Sequence, residues 1–303
     1  MKKMKTMIAS LLLMVSTALY AETAGSQEVF YIKTPRFARP LVEKWIAEYK
    51  KIDPEMQLCI STGSQPSDIT LSIYNKDVNE TQSTVYFGQY AVLPVTSRQS
   101  LAAKYFSKHH QSKKKLKELF FIVDEFDNSV EKDQEKRALV VYTGSNSLSV
   151  TAALASYFGQ ETGSLKGKKI SGDDVFLNQA ISRDEEGVTF NALPNLFDLS
   201  SRQLLANISI VPLDVKKQQA EALADDTSLD RVITILENER VDGIPVEPIG
   251  LQTENQSNRL SRFLGWVLTS SKDYNHQYGL LNLNEKALTA EYSKINNTLT
   301  AQK

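Results

Sequence analysis

The chain has 303 residues, a formal net charge of −1, one cysteine and three histidines. A charge so near zero offers no basic field for nucleic acid or an anionic bilayer. A lone cysteine cannot form an internal disulfide, and three histidines, two of them adjacent at His109-His110, give no zinc spacing without cysteine partners.

Residues 1–21 open with Lys2, Lys3 and Lys5, continue as an apolar run from Ile8 to Leu19, and end at Ala21. A run of that length is too short to span a bilayer and has the form of a secretory signal peptide. No cysteine follows it, so a lipid anchor is not expected, nor is membrane insertion after cleavage. The remainder is long enough for two domains.

After the leader, Glu28 to Ile32 reads as a strand. Thr34-Pro35 suits a helix start, and Phe37, Leu41, Trp45, Ile46 and Tyr49 recur at helical spacing, predicting a helix over 36–51. Residues 56–61 form the next strand, with Cys59 as a small core residue, and residues 62–67 form a turn. Asp68 to Tyr74 is a third strand. Strand, helix, strand is the order of a parallel sheet covered by helices. Residues 75–84 read as a surface loop. Val85 to Val95 is a strand pair or one long strand closing at Pro94, and 101–106 and 113–121 are short helices. The lysines at 113, 114, 115 and 117 read as a solvated helix face.

Residues 123–136 form a polar, mostly acidic insertion. Strands are predicted at 138–142, 187–191 and 208–213, and helices at 149–158, 196–205, 230–239, 260–268 and 285–299. The acidic pairs Asp173-Asp174 and Asp225-Asp226 sit in polar stretches and read as solvated surface.

The sequence contains no HExxH, Cys-x-x-Cys, GxxxxGK[ST] or GxSxG pattern. Ser112-x-x-Lys115 is too short and too common a pattern to carry catalysis. No cofactor and no metal are expected. What stands out is three hydroxyl-rich turns, each after a predicted strand: Lys33-Thr34-Pro35, Ser61-Thr62-Gly63-Ser64, and Thr143-Gly144-Ser145-Asn146-Ser147. Ligands collect at the carboxyl ends of strands in such sheets. Helix starts with free N–H groups and nearby hydroxyls can hold an oxyanion. Ordinary helix capping uses the same residues, and the motifs alone leave both readings open.

The C-terminal part reads Arg262-Phe263-Leu264-Gly265-Trp266-Val267-Leu268, then Tyr274, then Tyr278-Gly279-Leu280-Leu281-Asn282-Leu283. It resembles the closing "FLxWVL…GQxY…GFLxL" segment of periplasmic phosphate-type substrate-binding proteins of ABC transporters. Gly187 to Asn191 resembles that family's "gIGY" strand, Phe87 to Val95 its crossover strand, and 113–121 its "LSxxxLxxIF" helix. The resemblance implies a two-lobed type II periplasmic-binding-protein fold, each lobe a mixed, mainly parallel sheet flanked by helices. Lobe 1 would comprise 26–94 plus 213–303 and lobe 2 would comprise 95–212, with crossings near Pro94 and Pro212.

It implies a periplasmic, non-enzymatic protein that closes on phosphate or another small oxyanion and delivers it to an ABC permease. The matched ligand positions are Thr34, Ser61, Thr62, Ser64 and Asp68 from the first lobe. The second lobe supplies Thr143, Gly144, Ser145, Asn146 and Ser147. Asp68 either accepts a proton from the ligand or bonds local backbone. Two departures stand out: only about six residues separate the second and third strands, where the family has a loop and a whole helix, and no arginine stands beside Thr143–Ser147, so the bidentate charge partner is missing. A ligand-free envelope scaffold that kept the fold and lost the pocket is the alternative.

Overall fold

A computed structural model describes residues 28–63, 65–73, 83–122, 138–145, 150–253 and 257–301. The signal peptide at 1–21, nearly all of the loop at 75–84 and the insertion at 123–136 lie outside the described residues, as do Ser64, Asn146 and Ser147.

The first half follows the expected order. β1 (Val29–Lys33) leads through a 3-10 turn at Arg36–Ala38 into α1 (Arg39–Tyr49). α1 buries Leu41, Val42, Trp45 and Tyr49, the face set by helical spacing. β2 (Gln57–Ile60) and β3 (Ile69–Ile73) both run parallel to β1. The register pairs Ile32 with Ile60 and with Ile69. The carboxyl ends of β1 and β2 therefore lie side by side, with the start of β3 beside them.

β4 (Ser83–Ser97) is one strand of fifteen residues and runs through Pro94. The expected stop at Pro94 fails for a geometric reason. The carbonyl of Pro94 accepts from Val211 N, so its imide nitrogen, on the same side, faces the end of a neighbouring ladder where no donor is required. β4 is followed by α2 (Leu101–Lys108) and α3 (Lys113–Phe120). Of the α3 lysines, Lys113 sits 4.1 Å from the Tyr157 ring centroid, while Lys114 pairs with Glu118.

β5 (Val140–Gly144), α4 (Val150–Phe158), β6 (Lys168–Ile170), α5 (Val175–Ser182) and β7 (Gly187–Ala192) build the second half, with β5 parallel to both β6 and β7. The short α6 (Leu193–Leu196) replaces the helix expected at 196–205. There the Asp198 carboxylate accepts from Ser200 N and Ser201 N, and Arg202 takes φ +63°, which turns the chain instead. β8 (Ile208–Ile210), α7 (Lys217–Ala222), α8 (Leu229–Asn238), β9 (Val246–Thr253), α9 (Asn258–Tyr274) and α10 (Glu285–Ala301) complete the chain.

The described strands form one nine-stranded sheet in the order β2-β1-β3-β9-β4-β7-β5-β6, with β8 also on β4. β4 is shared. Its residues 83–91 pair antiparallel with β9, and 92–96 pair with β7. The change of neighbours falls between Ala91 and Val92, and the chain rejoins the first half-sheet at Val246. Residues just after Pro212 stay with the second half: Leu213 bridges Gln111, Asp225 accepts from Ser209 and Ile210, and Gly243 N donates to the Tyr157 hydroxyl. Gly88 makes room for the C-terminal segment, since a Cβ there would lie 2.9 Å from both Asn275 Nδ2 and Leu281 O.

One ion pair closes the first half. Arg259, at the start of α9, grips Asp53 with two bonds of 2.9 Å. The guanidinium holds the Asp53 carboxyl below its usual range, chiefly by hydrogen bonding. A depressed carboxyl pKa contributes stability above the unfolded value, roughly 3.9, and that contribution is lost as pH falls through the folded value. Asp53→Asn should therefore lower Tm at neutral pH, and its gap to the wild type should close as the pH falls below about 4. Melting curves between pH 7 and pH 2 test this, and a gap that persists at pH 2 would refute it.

Candidate ligand cleft

Parallel pairing sets the first wall. Ser61 N donates to Ile32 O at 2.9 Å, locking the end of β2 beside β1. The half-buried Thr34 donates its hydroxyl to Pro35 O at 3.2 Å and caps no helix. The Ser61 hydroxyl donates to Gln65 O, and Thr62 donates both its N–H and its hydroxyl to Gln65 Oε1. Asp68 Oδ2 accepts from Tyr31 N at 2.8 Å. Of the two roles open to Asp68, this bond is the local-backbone one. Thr34, Ser61 and Asp68 thus share one edge of the first half-sheet. The helical run that starts at Arg36 has no side-chain cap.

The second wall forms where β5 and β6 end together, with Thr143 beside Lys169 and Gly144 beside Ile170. Ser145 N donates to Ile170 O at 2.9 Å. The Thr143 hydroxyl donates to Lys166 O at 3.4 Å, and Gly144 O accepts from the Thr151 hydroxyl at 3.0 Å. The start of α4 is taken from within: Val150 N donates to Asp174 Oδ2 at 3.2 Å. Asp174 is only 6% exposed. The reading of Asp173-Asp174 as solvated surface is corrected by that burial, which follows from the bond to α4 and from the amides beneath it. Asn191 Nδ2 donates to Asp174 O and to Asn178 Oδ1, both at 2.8 Å, while Asn191 Oδ1 accepts from Ala192 N and Asn195 Nδ2. Asp173 Oδ1 accepts from Val175 N at 3.0 Å and opens α5.

Tyr90 of β4 packs against the first wall. Its ring lies 4.9 Å from that of Phe37, one residue into the helical run of the first wall. Its hydroxyl is wholly buried and has no hydrogen-bond partner. Burial pushes that hydroxyl well above the ordinary tyrosine range, and the charges of Asp174 and Asp173 act in the same direction. The group is therefore a neutral hydroxyl beneath the Phe37 turn. Sequence reasoning had placed Tyr90 simply inside an apolar strand. The available signal was Asn191, a polar residue inside the apolar run Val188–Ala192, which needs buried partners.

At the opposite end of α4 lies a separate polar cavity of about 620 Å³, lined by Gln89, Tyr157, Glu237, Glu239, Arg240 and Asn282, among others. Among the described residues there is no metal-holding cluster of His, Cys, Asp and Glu, and no helix long and apolar enough to cross a membrane.

No protein-family profile matches the chain, and no curated protein matches it by sequence. Solved structures do match by shape. A protein from Clostridium perfringens, described as a phosphate ABC transporter substrate-binding protein with bound phosphate, superposes with a TM-score of 0.56 at 12% identity, over 85% of this chain and 100% of the other. An ABC-type phosphate transport receptor from Vibrio cholerae gives 0.52 at 13% identity, over 84% and 100%. A protein from Planctomyces limnophilus, described as a phosphate-binding protein, gives 0.51 at 10% identity, over 90% and 99%. At such identities the likeness speaks for architecture, and the architecture is that of the type II periplasmic binding proteins.

Proposed function

We propose that this chain is a periplasmic solute-binding protein that captures phosphate or another small oxyanion between its two half-sheets and delivers it to an ABC transporter. The observation that carries the reading is that hydroxyl-rich strand ends stand in both half-sheets, at Thr34 and Ser61 in one and at Thr143 and Ser145 in the other, on either side of the shared strand β4. The lobes that close are the half-sheets on either side of β4, hinged at Ala91–Val92 and before Val246. In this reading Thr34, Ser61, Thr62, Ser64, Asp68 and the segment 143–147 face the ligand, and closing on it redirects the hydroxyls of Thr34, Ser61, Thr62 and Thr143 from the internal acceptors named above. No step of catalysis belongs to this reading.

The test is a thermal-shift and calorimetric titration with phosphate, sulfate and molybdate. Ligand at a hundred times Kd stabilises the folded state by about 2.7 kcal/mol, a rise of several degrees in Tm. A flat response to every anion would favour the second reading, a scaffold whose pocket is closed from within, for which the Val150–Asp174 bond speaks.

The double substitution Thr143→Ala with Ser145→Ala is expected to weaken anion binding roughly tenfold, the loss of one or two hydrogen bonds. Its melting temperature should fall by less than the binding loss implies, because Ser145 is exposed and the bond of the buried Thr143 is long. Unchanged affinity with a lowered Tm would assign these residues to structure alone.

A further inference from the structure

The polar cavity at the far end of α4 is built by both halves. Gln89 of β4 and Asn282, after α9, come from the first half, while Ser156 of α4 and Arg240, after α8, come from the second. Its volume of about 620 Å³ falls within the roughly 300–1,000 Å³ usual for small-molecule sites. Much of its hydrogen-bonding capacity is unspent. Gln89 exchanges backbone bonds with Leu281, but its carboxamide meets no partner among the described residues, and neither do the Ser156 hydroxyl and the Arg240 guanidinium. Both bonds to Glu237, from Asn282 N at 2.6 Å and with the His276 ring at 2.7 Å, fall on Oε1 and leave Oε2 without a partner. Asn238 donates from Nδ2 to Thr234 O and keeps Oδ1. The signs on this wall narrow the ligand class. Glu237, Glu239 and Glu247 oppose an anion, Arg240 among them opposes a compact cation, and no set of carboxylates converges to hold a metal ion among the described residues. What remains is a balance of donors and acceptors on planar groups. A hydroxyl both donates and accepts, so a solute bearing several of them can satisfy both kinds at once. Leu236, Val241 and Ile244 complete the lining with an apolar surface that suits the C–H face of a sugar ring.

We infer that this cavity is a second binding site, separate from the cleft, for a neutral polyhydroxylated solute of the saccharide class. The Gln89 carboxamide from one half and the Arg240 guanidinium from the other bond its hydroxyls, and Glu237 Oε2 accepts from them. The inference does not depend on the oxyanion reading.

The test is calorimetry and thermal shift of the purified protein with maltose, N-acetylglucosamine and myo-inositol, beside putrescine and inorganic phosphate. At least one of the three polyols is expected to bind and to raise Tm by a few degrees at about 10 mM, as mass action requires. Arg240→Ala and Gln89→Ala should each weaken that binding roughly threefold to tenfold, the loss of one or two hydrogen bonds. Neither side chain has a partner within the protein, so both variants should melt within about a degree of the wild type when no ligand is present. The response to phosphate, whatever its size, should be the same in all three proteins. No response to any polyol would overturn the inference and leave the oxyanion reading standing. A response to putrescine exceeding that to every polyol would overturn it in favour of a cation site. Polyol binding undiminished in both variants, or lost together with the phosphate response, would remove the polyol from this cavity and overturn it as well.

Discussion

Asn191→Ala is expected to destabilise the protein by about 4 kcal/mol, because each buried group left without its partner costs roughly 1–3 kcal/mol. Asn191 is wholly buried and satisfies four groups at once: Asp174 O, Asn178 Oδ1, Ala192 N and Asn195 Nδ2. Alanine takes a partner from each of them, with Asp174 O alone keeping a second donor, Leu177 N, in a place where the strand β7 is packed on both faces. Asn191→Leu fills the volume without restoring the bonds, so it should lose about as much; a much smaller loss for leucine would mean that the cavity matters more than the amide. The readout is equilibrium denaturation in urea, where the midpoint should shift with little change in slope. A loss below about 1 kcal/mol would show that water replaces the network. The same substitution frees the turn that carries Asp173 and Asp174, so ligand affinity should fall along with stability.

Trp45→Ala should cost about 3–5 kcal/mol, the usual range for removing a large aromatic from a core. Trp45 has no exposed surface and stands edge-on to Phe87 of β4, with ring centroids 4.8 Å apart. It ties α1 to the strand that both half-sheets share. At this chain length the loss corresponds to a fall of about 10 °C in Tm. Trp45→Phe keeps a ring against Phe87 and removes an indole nitrogen that bonds nothing, so most of that stability should remain. Alanine and phenylalanine variants melting together would refute a packing origin.

The alternation of strands and helices could be read from the sequence wherever periodicity was long and uninterrupted. Thus β1, α1, β2 and β3 emerge directly from residues 28–74, and α9 from its apolar stripe at 260–268. What stayed hidden was β9, a central strand, because Pro245 and Pro248 make its sequence look like a loop. Gln89, opposite Pro248, turns its own N–H and carbonyl to Leu281, so the Pro248 nitrogen faces away from β4, just past the last paired residue of β3. β6 has only three residues, two of them lysine, and α5 starts directly after an acidic pair. In the cleft, the hydroxyl-rich turns stand at strand ends, where chain order puts them. The direction of their hydrogen bonds was not readable, since it depends on how Gln65 folds back within its own turn and on Lys166 arriving from elsewhere in the chain. Asp174 was misread because a buried carboxylate and a solvated one look alike until Val150 and Asn191 are placed around it.

The shared strand has a mechanical consequence. At the point where one half-sheet gives way to the other, β4 alone of the described strands runs through, and β9 begins there at Val246. A single strand resists stretching but yields readily to torsion. Any movement of the halves toward each other is then an elastic twist of β4 together with the connection that enters β9. The protein behaves as a spring rather than a latch.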